Sequence, residues 1–121
     1  MSSIAFITGA TAGFGAACAR RFAREGWSLV LTGRRRERLE ALAGELTVPV
    51  HLGVFDVRDR EAGRAFVEEL PAEFRAVDVL VNNAGLALGL EPAWRTSLDD
   101  WEAMVDTNVK GLMYCARFLL P

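Results

Sequence analysis

The chain has 121 residues, of which 51% are hydrophobic and 25% are charged, and its formal net charge is −2 at pH 7. This length gives room for one domain, and the composition is that of an ordinary globular chain. The small net charge gives no electrostatic reason to expect nucleic acid or an anionic membrane as a partner, and we expect neither.

Apolar runs alternate with helical patterns along the chain. The predicted strands lie at about residues 4–8, 28–32, 50–55 and 77–82. The predicted helices lie at about residues 13–25, 37–46 and 60–70, the third with Asp59 as its N-cap, and a last helix begins after Ser97. The strands read as near-continuous apolar runs, so both of their faces should be covered. The alternation therefore predicts an α/β fold, a doubly wound parallel sheet with right-handed crossovers.

The last predicted helix combines capping residues with an apolar stripe. Ser97 is a candidate N-cap, and the carboxylates of Asp99 and Asp100 favour the positive end of a helix. The residues that fall at helical spacing and read as core are Trp101, Met104, Val105, Val109 and Leu112. The pattern is still helical at Leu119-Leu120, where the chain stops at Pro121. Because the stripe then lacks partners, partial exposure is expected at Trp101, Val105, Leu112 and Phe118.

A glycine-rich turn joins the first predicted strand to the first predicted helix. Its sequence is Thr8-Gly9-Ala10-Thr11-Ala12-Gly13-Phe14-Gly15. A strand that enters a helix through such a turn forms an anion site, because the helix N-terminus offers unpaired N–H groups and the positive end of its dipole. The glycines at positions 9, 13 and 15 let the backbone turn tightly and approach a phosphate. The turn therefore predicts a phosphate-binding site.

The spacing of these glycines, with Thr8 in front, differs from the Gly-x-Gly-x-x-Gly fingerprint and resembles that of the short-chain dehydrogenase/reductase family. Further matches to the family's pattern are Phe55-Asp56-Val57, Asn82-Asn83-Ala84-Gly85 and Asn108. The resemblance covers the whole chain and points to the NADP-dependent 3-hydroxy acid (serine) dehydrogenases, through residues 32–35, 82–92 and 99–111. It implies a Rossmann-type sheet of strand order 3-2-1-4. Residues 1–121 would then be a partial dinucleotide-binding domain, truncated within the helix after strand four.

The resemblance also assigns cofactor-binding residues at the ends of three strands. In the glycine-rich turn these are Gly9, Ala10, Thr11, Ala12, Gly13, Phe14 and Gly15. Asp56 would accept a hydrogen bond from the adenine amino group and Val57 would supply a backbone contact, although Asp56 could equally be a turn aspartate. The nucleotide ribose would lie against Asn83, Ala84 and Gly85. Asn82 could lock the turn between strands.

The residues after strand two indicate which dinucleotide is bound. An acidic residue at this position holds the ribose 2′-OH of NAD, whereas an arginine accommodates the 2′-phosphate of NADP. This chain has Gly33 followed by Arg34-Arg35-Arg36, with no carboxylate before Glu37. A guanidinium binds phosphate through a bidentate fork. We therefore expect NADP, held by Arg34 and Arg35; the alternative is a solvated basic start to the second helix.

The family's catalytic serine, tyrosine and lysine would lie beyond the end of this chain. Its tyrosine, Tyr114, is followed four residues later by Phe118 and not by lysine, so Tyr114 is expected in the core or an interface. The resemblance implies that Asn108 distorts its helix and holds a water in the proton relay to the missing lysine. Asn108 lies among apolar residues and is expected to be at least partly buried; the alternative is a structural amide with satisfied hydrogen bonds.

Other features of the sequence carry less chemistry. Met1-Ser2-Ser3 lacks the basic start of a signal peptide, and no apolar run approaches the roughly 20 residues that span a bilayer. Cys18 and Cys115 are expected to be buried free thiols, which favours the cytoplasm. No Cys/His cluster has metal-ligand spacing, so no metal is expected. His51, inside an apolar strand, is expected to be structural.

These observations favour the amino-terminal cofactor-binding half of an NADP-dependent oxidoreductase, which acts on a short 3-hydroxy acid such as serine. The chain alone would be inactive, because it lacks the acid/base pair. The complete protein would be a homo-oligomer, by resemblance a tetramer, that associates through the last helix here and the one after it. The alternative is a non-catalytic nucleotide-binding module or an inactive truncated product.

Overall fold

The computed structural model describes residues 3–11, 13–85 and 92–120, which contain a four-stranded parallel sheet. The strands are β1 (Ile4–Ile7), β2 (Ser28–Gly33), β3 (Val50–Val54) and β4 (Val79–Val81). The helices are α1 (Gly13–Arg24), α2 (Arg36–Glu45), α3 (Arg60–Glu68), α4 (Leu98–Val105) and α5 (Leu112–Leu119). Short 3-10 turns lie at Ala72–Phe74 and Ala93–Arg95, and a π-helical segment, Asp106–Gly111, joins α4 to α5.

The sheet has the order β3-β2-β1-β4, which confirms the predicted fold and topology. β1 lies in the centre, where Phe6 pairs with Val30 of β2 on one side and with Leu80 of β4 on the other. All of β1 is buried, as is β2 apart from Gly33, because helices cover both faces of a parallel sheet. The strand order reverses at β1, and such switch points are where open α/β sheets bind ligands.

Two apolar clusters cover the two faces of the sheet. On one face, Leu39 of α2 and Ala19 of α1 pack with Leu29 of β2. On the other face, Leu70 and Phe74 pack with β1 and β2 residues. Burying a large apolar side chain completely stabilises the fold by about 1.5–3 kcal/mol. The described helices include none long and apolar enough to cross a membrane.

His51 and the start of α3 behave as the sequence predicts. The imidazole of His51 stacks between the rings of Phe66 and Phe74, each with its centroid 5.5 Å away. This confirms a structural role for His51. The Asp59 carboxylate accepts a hydrogen bond from the N–H of Ala62 at 3.1 Å, which is the predicted N-cap of α3.

The fourth strand and the last helix differ from the prediction. β4 spans three residues, not the predicted 77–82, because the chain turns at once on both sides. The N–H of Val77 donates to the carbonyl oxygen of Arg75, and that of Asn83 donates to the carbonyl oxygen of Val81. Ser97 occupies the N-cap position of α4, but its side chain makes no capping hydrogen bond.

The apolar stripe of the last helix is exposed in this structure. Its predicted core residues Trp101, Val105, Val109 and Leu112 expose 42% to 50% of their surface, and Met104 is half-buried. The core prediction is therefore wrong for those four, and the expected exposure is confirmed for Trp101, Val105 and Leu112. Phe118 is half-buried, because its ring packs against Gly63 of α3. In the described part of the chain, the side chains of Trp101, Val105, Val109 and Leu112 are therefore open to solvent.

Candidate functional site

A cleft of about 240 Å³ opens at the carboxyl edge of the sheet. Its lining residues are Gly9, Thr11, Thr32, Gly33, Arg34, Phe55, Asp56, Val57, Asn83, Ala84, Gly85 and Thr107. They come from β2, from the segments after all four strands and from the π segment. Parallel strands end at one edge of their sheet, so motifs far apart in the sequence meet here. The cleft therefore joins the glycine-rich turn, Arg34, the Asp56 turn and the Asn83 loop.

The glycine-rich turn needs glycine for two different reasons. Gly9 and Gly13 have φ angles of 61° and 56°, a left-handed conformation that side chains disfavour. Gly15 is required by space, because a Cβ there would collide with the carbonyl oxygen of Gly9 and would lie 2.6 Å from Nδ2 of Asn83. The start of α1 can therefore lie directly against the loops after β1 and β4.

The buried hydroxyl of Thr8 fastens these two loops together. It accepts hydrogen bonds from the N–H groups of Asn83 and Ala84, each at 3.0 Å. The Asn83 side chain completes the link, since its Nδ2 donates to the carbonyl oxygen of Gly9 at 3.0 Å. Asn83, and not Asn82, is therefore the asparagine that locks the turn between strands.

Asn82 connects β4 to the last helix instead. Its Nδ2 donates to the carbonyl oxygen of Leu112 at 3.5 Å. Its Oδ1 is buried and has no hydrogen-bond partner among the residues that the structure describes. A buried acceptor of this kind is normally paired.

The remaining residues of the turn occupy different environments. Thr11 lines the cleft, and its methyl group lies against Gly33 at the end of β2. Ala10 is fully buried and its N–H donates to the carbonyl oxygen of Thr32 at 3.1 Å, so Ala10 supports the turn from behind. Phe14 exposes 83% of its surface on the first turn of α1. Ala12 lies outside the described residues.

The three consecutive arginines divide into different environments. Arg34 lines the cleft directly after β2. Arg35 is exposed at the N-cap position of α2, outside the lining residues, and its side chain makes no capping hydrogen bond. Arg36 forms an exposed ion pair with Glu40 at 3.8 Å. Within the described chain neither Arg34 nor Arg35 forms an ion pair, so the guanidinium of Arg34 is available to a ligand in the cleft.

Asp56 lines the same cleft and is bound by Arg58. Oδ1 accepts from the backbone N–H of Arg58, and both carboxylate oxygens accept from its guanidinium. Burial would raise the pKa of Asp56, but the Arg58 hydrogen bonds and the charges of Arg58 and Arg34 hold it below its ordinary value. Asp56 is thus a turn aspartate, which is the alternative that the sequence left open, and it also lines the cleft.

Val57 docks the same turn onto the π segment. A Cβ at Gly111 would lie 2.6 Å from a methyl carbon of Val57, so only glycine allows this approach. The turn of Asp56 and Val57, which is predicted to contact the adenine, therefore touches the helical segment that carries Asn108.

Asn108 lies within the π segment, and the helix is distorted there as the resemblance implies. A Cβ added at Gly85 would lie 3.4 Å from Oδ1 of Asn108, which places this amide beside the loop after β4. The side chain is exposed, so the expectation of partial burial is wrong. The face on which it lies is the uncovered stripe described above. Tyr114 is half-buried and stacks with Phe118, with ring centroids 6.5 Å apart.

Sequence reasoning missed three residues of this region: Thr107, Arg58 and Gly111. Thr107 lines the cleft from the π segment, whose path no periodicity predicts. The Asp-x-Arg spacing of Asp56 and Arg58 was a usable signal, because an aspartate two residues before an arginine can bond both its backbone and its side chain.

Several known proteins are similar to this chain along nearly its whole length. A family model described as short chain dehydrogenase matches residues 3–121. Sulfoacetaldehyde reductase 2 of Chromohalobacter salexigens is 58% identical over 123 residues, which cover 100% of this chain and 49% of that protein. Serine 3-dehydrogenase of Agrobacterium fabrum is 54% identical, with coverage of 100% and 49%. The NADP-dependent 3-hydroxy acid dehydrogenase YdfG of Salmonella typhi is 56% identical, with coverage of 98% and 48%.

Solved structures agree with these relatives. The closed form of serine dehydrogenase complexed with NADP⁺ has a TM-score of 0.94 and 52% identity, and the match covers 98% of this chain and 48% of that one. Serine dehydrogenase from Escherichia coli has a TM-score of 0.93 and 52% identity, with coverage of 98% and 55%. The chain therefore spans about half the length of the proteins that it matches.

Proposed function

Because the chain belongs to the short chain dehydrogenase family, we propose that it is the amino-terminal, cofactor-binding half of an NADP-dependent oxidoreductase. The observation that carries the proposal is the cleft at the β1 switch point, where the glycine-rich turn, Arg34 and Asp56 meet. The relatives whose names specify NADP, and the neighbour complexed with NADP⁺, support the same cofactor.

Each part of the cleft fits one part of NADP. The turn from Gly9 to Gly15, at the N-terminus of α1, suits the pyrophosphate. Arg34, assisted by Arg35, binds the 2′-phosphate through its fork of N–H donors. Asp56 accepts from the adenine amino group and Val57 contributes its backbone. The ribose on the nicotinamide side lies along residues 83–85, where small side chains leave room.

The cofactor would carry the hydride to or from the substrate, and this chain's residues bind and orient the cofactor. Asn108, beside the residue 83–85 loop, holds a water for proton transfer to a lysine that this chain does not contain. The family's serine and tyrosine would likewise come from the remainder of the protein. Residues 1–121 are accordingly a partial dinucleotide-binding domain, and the complete protein is an oxidoreductase that associates as a homo-oligomer.

The substrate class follows from the relatives' names. Serine, 3-hydroxy acids and sulfoacetaldehyde are short molecules that carry a carboxylate or sulfonate close to the hydroxyl or carbonyl group that reacts. We propose a substrate of this class, with a short 3-hydroxy acid such as serine as the first candidate. The pocket that chooses among them is expected mostly outside residues 1–121.

The proposal is tested by reading the coding DNA past Pro121 and assaying the product of the complete reading frame. The expected frame continues and contains a tyrosine followed four residues later by lysine. Its product should reduce NADP⁺ when serine or another 3-hydroxy acid is added, followed by absorbance of NADPH. A stop codon directly after Pro121 would instead favour a non-catalytic nucleotide-binding module.

A further inference from the structure

We propose that Arg58 holds the Asp56 carboxylate against the adenine and away from Arg34, and so leaves Arg34 to bind the 2′-phosphate. Arg58 would then be a positioning residue that sets the preference for NADP without touching the cofactor. The inference rests on the proposed function, because it requires NADP in the cleft.

Arg58 binds both oxygens of the Asp56 carboxylate. Oδ1 accepts from the backbone N–H of Arg58 at 2.9 Å and from Nε at 3.1 Å. Oδ2 accepts from Nε at 3.1 Å and from Nη2 at 2.7 Å. The N–H of Asp59 closes the turn by donating to the carbonyl oxygen of Asp56 at 2.9 Å. A guanidinium fork of this kind fixes the plane of the carboxylate, which a single hydrogen bond would not do.

The carboxylate has the cleft on one side and Arg58 on the other. Asp56 lines the cleft, whereas Arg58 is not among the described residues that line it. An ionised carboxylate has about four lone-pair sites, and three N–H groups of Arg58 direct four hydrogen bonds at this one, because Nε–H is shared between the two oxygens. An N–H of the adenine amino group would therefore take the place of one of the two shared Nε–H contacts.

Arg34 is the second cation that attracts Asp56. It lines the same cleft, and its charge acts on the Asp56 carboxylate. Without Arg58, the carboxylate would be drawn toward Arg34 and would neutralise the charge that a 2′-phosphate needs. Asp106 also attracts Arg58, but it already pairs with Lys110 at 3.3 Å, so Asp56 is the carboxylate that Arg58 holds.

Loss of the Arg58 side chain should leave the fold intact. The side chains of Arg58 and Asp56 are 38% and 26% exposed, and partly exposed ion pairs add little to the free energy of unfolding. The backbone hydrogen bond from residue 58 to Asp56 persists in any variant other than proline. The effect should therefore appear in ligand selectivity.

The experiment titrates the full-length protein with NADP, with NAD and with the NADP analogue in which hypoxanthine replaces adenine. The variants are Arg58→Gln, Arg58→Lys and, as a matched control, Arg64→Gln. Arg64 also binds carboxylates through its fork, those of Glu61 and Glu68, but it lies on α3 outside the cleft lining. Asp56→Ala tests separately whether this carboxylate reads the adenine.

Arg58→Gln should weaken NADP by about 3- to 10-fold, the value of one hydrogen bond, and should lower its preference over both NAD and the hypoxanthine analogue. Arg58→Lys should keep more of the preference for NADP over NAD, because it keeps the positive charge. It should lose the preference for NADP over the hypoxanthine analogue. Arg64→Gln should change neither ratio. Equal weakening of all three ligands in Arg58→Gln, or no change, would overturn the inference.

Two other outcomes separate the inference from its premise. In the first, the wild-type protein binds NADP but Asp56→Ala leaves the preference for NADP over the hypoxanthine analogue unchanged. Asp56 then does not bind the adenine amino group, and the proposed role of Arg58 is wrong while the proposed function stands. If the wild-type protein does not bind NADP, the proposed function and the inference fail together.

Discussion

Replacing Thr8 by valine should loosen the cleft and destabilise the fold by more than the loss of one hydroxyl suggests. Thr8 is 1% exposed, and its hydroxyl accepts from two backbone N–H groups, those of Asn83 and Ala84. Valine has the same shape but no acceptor. The N–H of Asn83 would keep its hydrogen bond to the carbonyl oxygen of Val81, whereas the N–H of Ala84 would lose its hydrogen bond to Thr8. An unsatisfied buried donor costs about 1–3 kcal/mol, and Ala84 is half-buried, so we expect a loss of about 1–3 kcal/mol in the free energy of unfolding.

The assay is urea denaturation of the full-length protein, followed by circular dichroism, for Thr8→Val and Thr8→Ser. Serine keeps the hydroxyl and loses only a methyl group, so it should cost about 1 kcal/mol. Thr32→Val is a matched control, because Thr32 is equally buried but its hydroxyl makes one weak hydrogen bond of 3.5 Å, to the carbonyl oxygen of Ile7. If Thr8→Val were no more destabilised than Thr32→Val, the hydroxyl would not be what fastens the loops.

Three further predictions concern the cofactor, the turn and the isolated chain. In the full-length protein, Arg34→Ala should weaken the binding of NADP by about 10- to 100-fold and that of NAD little, because charge-assisted hydrogen bonds are worth about 1.5–3 kcal/mol. Arg35→Ala should have a smaller effect. Calorimetric titration with both dinucleotides checks this, and equal losses of affinity would contradict it. Gly15→Ala should abolish NADP binding or folding, because the added methyl group would collide with Gly9. Gly44→Ala on α2 meets open space and should stabilise the fold by about 0.5–1 kcal/mol in a thermal melt. If Gly15→Ala were tolerated, the turn would not be tightly packed. The isolated 121-residue chain should show no serine dehydrogenase turnover. It should also self-associate through its exposed apolar stripe, and a monodisperse monomer of about 13 kDa in light scattering would refute this self-association.

Local patterns were sufficient for the sheet and for most of the cleft. The strand order and the meeting of Gly9, Arg34, Asp56 and Asn83 follow from four apolar runs that end in distinctive turns. The cap at Asp59 is equally local, because its carboxylate needs only the next turn of helix.

What the sequence could not predict depends on packing between distant segments. Asn82 and Asn83 are chemically identical neighbours, and only the position of Gly9 decides which amide bonds to it. The exposure of Trp101 and Val105 depends on which distant segments pack against the last helix.

The most direct test of the central claim is the affinity of the full-length protein for NADP relative to NAD, measured by calorimetric titration under the same salt conditions. The guanidinium of Arg34 in the cleft, with no carboxylate at the end of β2, predicts NADP binding at least about 10-fold tighter than NAD. Equal affinities, tighter binding of NAD, or no binding of either dinucleotide would contradict the account.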